Sequence, residues 1–193
     1  MVQVLNLGSV RLRQRNEARR TEILHAAARV FRRRGVAAAG MREIAGEAGL
    51  SPGNLYHYFS GKDEILLFCQ ERTLERMHAA VQSAKGPAAE RLRMVLRAHV
   101  HCMLDELEGA TAHLDIETLP PKLRAPMIEK RDAYERAVRA LVAKVAPHGD
   151  AALVTRAMLG AVNWTARWYR PDGPQKPDEI ADALADYLVK GLA

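Results

Sequence analysis

Apolar side chains recur every three or four residues along nearly the whole chain, which is the spacing of an amphipathic α-helix. In the stretch 15–34, one face is formed by Ile23, Ala27, Val30 and Phe31. No stretch alternates β-branched and polar residues in the way that a half-buried strand does. The pattern therefore predicts an all-α protein of about nine helices.

Glycine and proline residues set the expected bounds of these helices. Ser51 followed by Pro52 supplies a cap and a first-turn proline, which predicts the start of a short helix. Gly35, Gly49 and Gly86 each follow an apolar stripe and predict helix ends. The predicted helices span residues 15–34, 41–49, 52–59, 62–85, 88–107, 111–119, 124–146, 150–169 and 178–192.

Positive charge is concentrated in the first third of the chain. Residues 1–62 contain eleven Lys and Arg against four acidic residues, whereas the remaining 131 residues contain 18 basic and 19 acidic ones. This asymmetry indicates that a polyanion contacts one end of the molecule, although a solvated basic face is the simpler alternative. Of the two polyanions, nucleic acid is favoured over a membrane surface, because the first helix places mainly alanine opposite its arginines.

Other features of the sequence disfavour several classes of protein. No apolar run approaches the roughly 20 residues that cross a bilayer, and the weakly apolar start precedes its arginines, unlike a secretory signal, so we expect a cytoplasmic protein. Cys69 and Cys102 lie inside helical patterns and predict buried reduced thiols. His99 and His101 fall on different helix faces, so we expect no metal site, and no catalytic arrangement is recognised.

The segment 51–62, SPGNLYHYFSGK, places polar and aromatic side chains on one short helix. Successive helical positions differ by about 100°, so the four residues 55–58 cannot all face one core and at least two face outward. Two short helices joined by a glycine-containing turn form the helix-turn-helix pattern, whose second helix enters the major groove of DNA. A stripe of core aromatics is the alternative.

Individual residues of this segment suit contacts with DNA. Gly53 permits close approach of the backbone, and Asn54 can reach a base edge. Tyr56 and Tyr58 offer hydroxyls to phosphate oxygens, while Lys62 at the start of the next helix offers an ammonium to the same strand.

The run 21–66, which includes TEILHAAARVFRRRG and MREIAGEAGLSPGNLYHYFSGKDEIL, closely resembles the DNA-binding domain of the TetR family of bacterial transcriptional repressors. The resemblance implies a homodimer with a three-helix head and a ligand-binding body, released from its operator when an effector binds. Positions that match the family's DNA contacts are Arg42, Gly53, Asn54, Tyr56, His57, Tyr58 and Lys62. We accordingly expect a DNA-binding domain at 1–62 and a ligand-binding and dimerisation domain at 63–193.

Two features of the head depart from or add to this pattern. The family usually has a hydroxyl residue where Ala39 or Gly40 stands, so glycine must cap the second helix here. Five arginines precede or open the first predicted helix: Arg11, Arg13, Arg15, Arg19 and Arg20. Such a basic arm can enter a minor groove, and a disordered solubilising tail is the alternative.

An apolar stripe on the last two long helices predicts an assembly surface. The residues assigned to it are Leu153, Ala157, Ala161, Trp164, Ile180, Leu184, Tyr187 and Leu188. Two such helices from each subunit form a four-helix interface, and a two-fold dimer calls for a palindromic operator with half-sites about 34 Å apart. The competing interpretation is that the stripe belongs to the subunit's own core.

The remaining helices are expected to enclose an effector. The candidate lining residues are His99, Met103, Leu107, Tyr134, Val138, Trp164, Arg167 and Trp168. Most of them equally suit plain core, and His99 in particular suits a hydrogen-bonded core histidine.

The segment 163–192, with its WTARWYRPDG core, resembles the C-terminal end of a TetR subgroup that controls fatty-acid and steroid degradation and responds to acyl-CoA thioesters. The resemblance implies an acyl-CoA effector and no cofactor. Arginines that could contact CoA phosphates are Arg124, Arg131, Arg167 and Arg170. The alternatives are a regulator of efflux that responds to a hydrophobic drug-like ligand and an acyl-CoA-processing enzyme, for which no nucleophile and base are apparent.

Overall fold

Eight α-helices make up the part of the chain that the structure describes. The computed structural model describes residues 7–105 and 119–192. In chain order the helices are α1 (Leu7–Arg34), α2 (Met41–Glu47), α3 (Pro52–Tyr56), α4 (Lys62–Ser83), α5 (Ala88–Leu104), α6 (Pro121–Val145), α7 (Ala151–Trp168) and α8 (Pro177–Lys190). No strand occurs within these ranges, and the all-α prediction is confirmed. Leu107 and all but the last residue of the helix predicted at 111–119 lie outside the described residues.

Helices α1, α2 and α3 pack with the start of α4 around the first part of the core. The apolar stripe predicted on α1 faces inward, with Ile23 and Val30 completely buried. Ile44 of α2 and Leu55 of α3 meet it from the other side and are also completely buried. These three segments therefore form a head, in which the two short helices depend on their neighbours because neither is long enough to be stable alone.

The turns of the head follow the glycine and serine signals. Gly35 and Gly49 adopt left-handed conformations, with φ of 75° and 65°, so a side chain at either position would be strained. The hydroxyl of Ser51 accepts a hydrogen bond of 3.2 Å from the backbone N–H of Asn54 and caps α3. Gly40 precedes α2 without any side-chain cap, as the sequence implied.

Helix α1 begins at Leu7, eight residues earlier than predicted. The prediction followed the apolar stripe, which starts late in the helix, whereas residues 10–18 are exposed. Arg11, Arg13 and Arg15 therefore lie on a helical extension, which corrects the alternative of a disordered tail from residue 7 onward, and the contact of this basic arm with a minor groove stays a prediction. Helix α6 likewise starts earlier than predicted, at Pro121, since proline favours the first turn of a helix.

Helix α5 is the central helix of the body and packs against α4, α6, α7 and α8. Its inward stripe includes Leu92, Leu96 and Val100, all completely buried. On its other side Arg97 donates hydrogen bonds of 2.7 Å to Asp182 and 3.0 Å to Asp178 of α8. The described thiols, Cys69 and Cys102, are buried without a disulfide, as predicted.

Candidate nucleic-acid interface and ligand pocket

Helix α3 presents polar side chains to solvent while an apolar residue fixes it from beneath. Leu55 is completely buried, whereas Tyr56 is 54% exposed. Gly53, Asn54 and His57 are exposed as well. Four of the seven residues predicted to contact DNA therefore share the outer face of a helix whose inner face is held by the core.

Tyr58 and Lys62 are more constrained than the sequence implied. Tyr58 is half-buried and packs against the core. The ammonium of Lys62 donates a hydrogen bond of 2.9 Å to the carbonyl oxygen of Ala37 and joins the start of α4 to the turn before α2. Because an ammonium has three N–H donors, this bond leaves two for a phosphate, and the predicted DNA contact stays a prediction.

Several basic side chains of α1 pair with acidic residues of the head. Arg29 and Arg33 donate hydrogen bonds of 2.6 Å and 2.7 Å to the two carboxylate oxygens of Glu47. The hydrogen bonds from Arg29 and then Arg33 hold the pKa of the Glu47 carboxyl below its ordinary value. Arg42 is exposed in the first turn of α2 and has no ion pair among the described residues. Arg42 is therefore available for DNA, whereas Arg29 and Arg33 hold α2 on α1.

Arg20, predicted as part of a basic arm, lies instead within the head. Its guanidinium carbon is 4.4 Å from the ring centroid of Phe59 and 4.6 Å from that of Phe68. Its Nη2 atom is 3.4 Å from a carboxylate oxygen of Glu64. A cation between two rings and a carboxylate joins α1 to α4 and to the residues that follow α3. Arg20 is thus a structural residue that fixes the position of α3.

A cavity of about 320 Å³ lies among α4, α5, α6 and α7. Its lining combines apolar with polar and charged side chains and consists of Leu74, Met77, His99, Ile128, Arg131, Asp132, Tyr134, Glu135, Arg156, Leu159, Gly160 and Asn163. A concave site with apolar surface and convergent polar groups is the candidate place for a small organic ligand.

His99, Tyr134 and Asn163 form a hydrogen-bonded row in the cavity wall. The hydroxyl of Tyr134 is 3.1 Å from His99 Nδ1, and His99 Nε2 is 3.0 Å from Asn163 Oδ1. The pKa of His99 is lowered to about 4, mainly because the ring is buried; the hydrogen bond to Asn163 raises it in part, and the charge of Arg131 lowers it. Burial also raises the pKa of Tyr134. His99 is therefore a neutral imidazole that is both a satisfied core histidine and part of the cavity wall.

Several predicted lining residues lie elsewhere. Met103 and Val138 are buried in the core and do not line the cavity. Trp164, Arg167 and Trp168 are exposed on the outer side of α7. The buried face of α7 is instead formed by smaller side chains such as Val162 and Thr165.

Asn163 and Arg156 were missed by the sequence analysis, although their spacing gave a signal. Positions 156, 160 and 163 differ by four and three residues, which places them on one helix face. Arg156 is 3.6 Å from Glu135 across the cavity wall. Arg131 also lines the cavity, and no described acidic residue forms an ion pair with it. The wall therefore contains a guanidinium that is available to an anionic ligand.

The outer side of α7 and α8 exposes large apolar side chains. Leu153 and Trp164 are each 64% exposed, Trp168 is 44% exposed and Tyr187 is 77% exposed. The predicted interface residues Leu184 and Leu188 are half-buried, while Ala157 is exposed. Ile180 is only 5% exposed and belongs to the core of the subunit, so the dimer prediction is corrected at this position.

The described ranges contain no group of His, Cys, Asp and Glu residues that could hold a metal ion. None of the helices in those ranges is long and apolar enough to span a membrane.

The fold and the exposed helix-turn-helix define a DNA-binding protein with a separate cavity in its body. Residues 23–68 match the family model of the bacterial regulatory proteins of the tetR family. Residues 85–192 match that of the tetracyclin repressor-like C-terminal domain. The chain belongs to the TetR family, so the resemblance seen at 21–66 is confirmed and the chain is a transcriptional regulator, not an enzyme.

Similar proteins share this fold over nearly their whole length. The HTH-type transcriptional repressor KstR2 of Mycobacterium tuberculosis is 28% identical over 187 residues, which cover 91% of this chain and 93% of KstR2. The TetR family transcriptional regulator PfmR from Thermus thermophilus is 34% identical with a TM-score of 0.80, covering 89% of this chain and 98% of PfmR. AibR, solved in complex with isovaleryl coenzyme A and operator DNA, has the same fold at 24% identity, with a TM-score of 0.76 and coverage of 89% and 98%.

Acid should destabilise this protein through His99. The folded-state pKa of His99 is about 4, below its ordinary value of 6.5. Between these values the unfolded chain binds a proton that the folded protein excludes, so the free energy of unfolding falls as the pH falls. We expect this one group to contribute a loss of about 2 kcal/mol between pH 7 and pH 5.

Urea unfolding at the two pH values measures this loss. The variant His99→Gln lacks the titrating group, so its stability is expected to change less between pH 7 and pH 5 than that of the wild type. The matched control is His148→Gln, which removes an exposed histidine. An equal pH dependence in wild type and His99→Gln would contradict the assignment.

Proposed function

We propose that this chain is a homodimeric repressor that binds a palindromic operator and is released by an acyl-CoA thioester. The observation that supports DNA binding most strongly is the geometry of α3, where buried Leu55 fixes the helix and Asn54 and Tyr56 project to solvent. An amide suits base edges, and a phenol suits phosphate and sugar. In this proposal residues 1–62 bind DNA in the cytoplasm, and residues 63–193 bind the effector and dimerise.

The exposed apolar side of α7 and α8 supports the homodimer. Large apolar side chains that a subunit leaves exposed in numbers are typical of interaction sites. A two-fold axis through this surface brings the same residues of two subunits together, among them Leu153, Trp164 and Tyr187. Two heads held in this way contact successive major grooves about 34 Å apart, which is the reason for a palindromic operator.

The composition of the cavity wall supports an acyl-CoA effector. Leu74, Met77 and Leu159 offer apolar walls for an acyl group, and Arg131 offers a guanidinium for a phosphate. Of the four arginines considered for CoA phosphates, Arg131 is the one that lines the cavity. The structure of AibR with isovaleryl coenzyme A is a precedent for such a ligand in this fold. An uncharged drug-like ligand, as in an efflux regulator, is the second candidate, but it leaves Arg131 unused.

Fluorescence anisotropy on a duplex from the protein's own promoter tests the whole proposal. We expect salt-sensitive, sequence-selective binding that is lost on addition of one member of a panel of medium-chain, long-chain and steroid-derived CoA thioesters. A scrambled duplex, free CoA and hydrophobic drugs are the controls. Selective DNA binding that no thioester changes would refute the effector, and release by a drug alone would favour the second candidate.

The variant Arg42→Ala tests the predicted head contacts. We expect specific binding to weaken by about 1–3 kcal/mol if Arg42 makes a bidentate base contact. For Tyr56→Phe we expect a smaller loss of about 1 kcal/mol, because only a hydroxyl is removed. Anisotropy titrations measure both losses, with Arg136→Ala as a control that removes an exposed arginine of α6. Wild-type affinity in both head variants would overturn the site.

The variant Trp164→Arg tests the dimer surface. Trp164 is 64% exposed in the subunit, so the change leaves the subunit core intact but places a charge on each side of the proposed axis. We expect a monomeric mass by light scattering and loss of operator binding. Met94→Arg alters a side chain that is 47% exposed on α5 and is expected to stay dimeric. A dimeric Trp164→Arg protein with full operator affinity would exclude this surface.

A further inference from the structure

The amide of Asn163 is a polar group in the cavity wall that the fold uses only in part. Asn163 lines the cavity and is half-buried. Its oxygen is 3.0 Å from His99 Nε2, whereas its NH₂ group makes no hydrogen bond to any described residue. An amide nitrogen carries two donors, so the cavity wall contains unused donors beside its apolar surfaces.

Buried neighbours fix which end of the amide faces His99. His99 and Tyr134 are 2% and 3% exposed, and the Tyr134 hydroxyl has one hydrogen-bond partner among the described residues, His99 Nδ1 at 3.1 Å. If the hydroxyl oxygen accepted a hydrogen bond from Nδ1–H, the hydroxyl's own proton would lack an acceptor in a buried place, which is unfavourable. The hydroxyl therefore donates to Nδ1, and His99 Nε2–H donates to the oxygen of Asn163.

The direction of these hydrogen bonds determines which kind of ligand group the Asn163 amide can bind in the cavity. With its oxygen turned toward His99, Asn163 has its two N–H groups free of described partners and offers them to a ligand. The carboxamide and the imidazole are both uncharged, so the group that suits them is a neutral acceptor such as a carbonyl oxygen. An acyl-CoA has one such oxygen where its apolar and anionic parts join, at the thioester.

We propose that Asn163 donates a hydrogen bond to the thioester carbonyl of the effector and that His99 and Tyr134 are positioning residues for its amide. This inference rests on the proposed acyl-CoA effector and adds the group by which the cavity distinguishes a thioester from other CoA derivatives. Apolar contacts from Leu74 and Met77 and an ionic contact from Arg131 serve all CoA derivatives of one chain length alike.

The test compares each acyl-CoA of the panel with its S-alkyl-CoA analogue, in which a methylene replaces the carbonyl. Calorimetric titration of the full-length protein gives both dissociation constants. For the wild type we expect the thioester to bind about 10-fold more tightly than the thioether, as one neutral hydrogen bond of about 1–1.5 kcal/mol implies. Release of operator DNA should show the same preference.

Two variants remove the donor in different ways. Asn163→Ala removes the whole amide, and Asn163→Asp keeps an oxygen for His99 Nε2–H while removing the NH₂ donors. In both we expect the ratio of thioether to thioester dissociation constants to fall to about one. The ratio is informative even though a carboxylate repels CoA phosphates, because the repulsion acts on both ligands. Gln175→Ala, which removes an exposed amide in the loop before α8, is the matched control.

Tyr134→Phe tests the positioning role. This variant removes the proton that fixes the tautomer of His99. We therefore expect a ratio of thioether to thioester dissociation constants that is lower than in the wild type but still above one, with the thioether affinity unchanged. An unchanged preference in Tyr134→Phe would overturn the positioning role.

The outcomes separate this inference from the proposed function. Equal binding of thioester and thioether by the wild type would overturn the role of Asn163 while leaving an acyl-CoA effector in place. A preference that persists in both Asn163 variants would also overturn it. Failure of every CoA compound to bind would overturn the proposed effector and this inference together.

Discussion

Helix α4 packs both in the core of the head and in the wall of the cavity. The positions of the helix-turn-helix and of the cavity therefore depend on the same helix. Near its start, Ile65 and Leu66 pack in the head, and two to three turns later Leu74 and Met77 form part of the cavity wall. A helix of 22 residues is a stiff, cooperative unit, and close-packed interiors transmit strain. In the proposed function, a ligand that displaces the wall at α4 would therefore change the packing beneath the helix-turn-helix.

The short helix α3 depends on this same element for its position. Five residues are too few to form a stable helix in water, so tertiary contacts must hold α3 in place. Leu55 supplies an apolar contact. Arg20 supplies a cation–π contact, because its guanidinium lies between Phe68 of α4 and Phe59, which follows α3. Glu64 completes the junction, because its carboxylate accepts hydrogen bonds from the backbone and the hydroxyl of Ser60. The orientation of the side chains that are predicted to contact DNA is thus set largely by groups outside α3.

The head could be predicted from sequence in more detail than the body. The apolar faces of its helices are separated by Gly35 and Gly49, whose φ values are positive in the structure. The helical spacing and the glycine positions therefore predict the same helix ends. In α7 the pattern was ambiguous, since Thr155 and Thr165 occupy the inner face. Each threonine hydroxyl donates a hydrogen bond to a carbonyl oxygen of its own helix, at 2.6 Å and 2.7 Å, so the hydroxyl is buried at little cost in free energy. The spacing of apolar residues cannot reveal which polar side chains are hydrogen-bonded in this way. Arg20 and Asn163 escaped prediction for a related reason, because their roles arise from partners distant in sequence.

Both tryptophans of the chain lie on the outer side of α7. Indole emission shifts to shorter wavelength when water is excluded, so the intrinsic tryptophan fluorescence of this protein is confined to the surface where subunits are proposed to meet. The spectrum of the unmodified chain consequently reports assembly with almost no contribution from the head, and a change in emission on dilution gives the strength of association without a label.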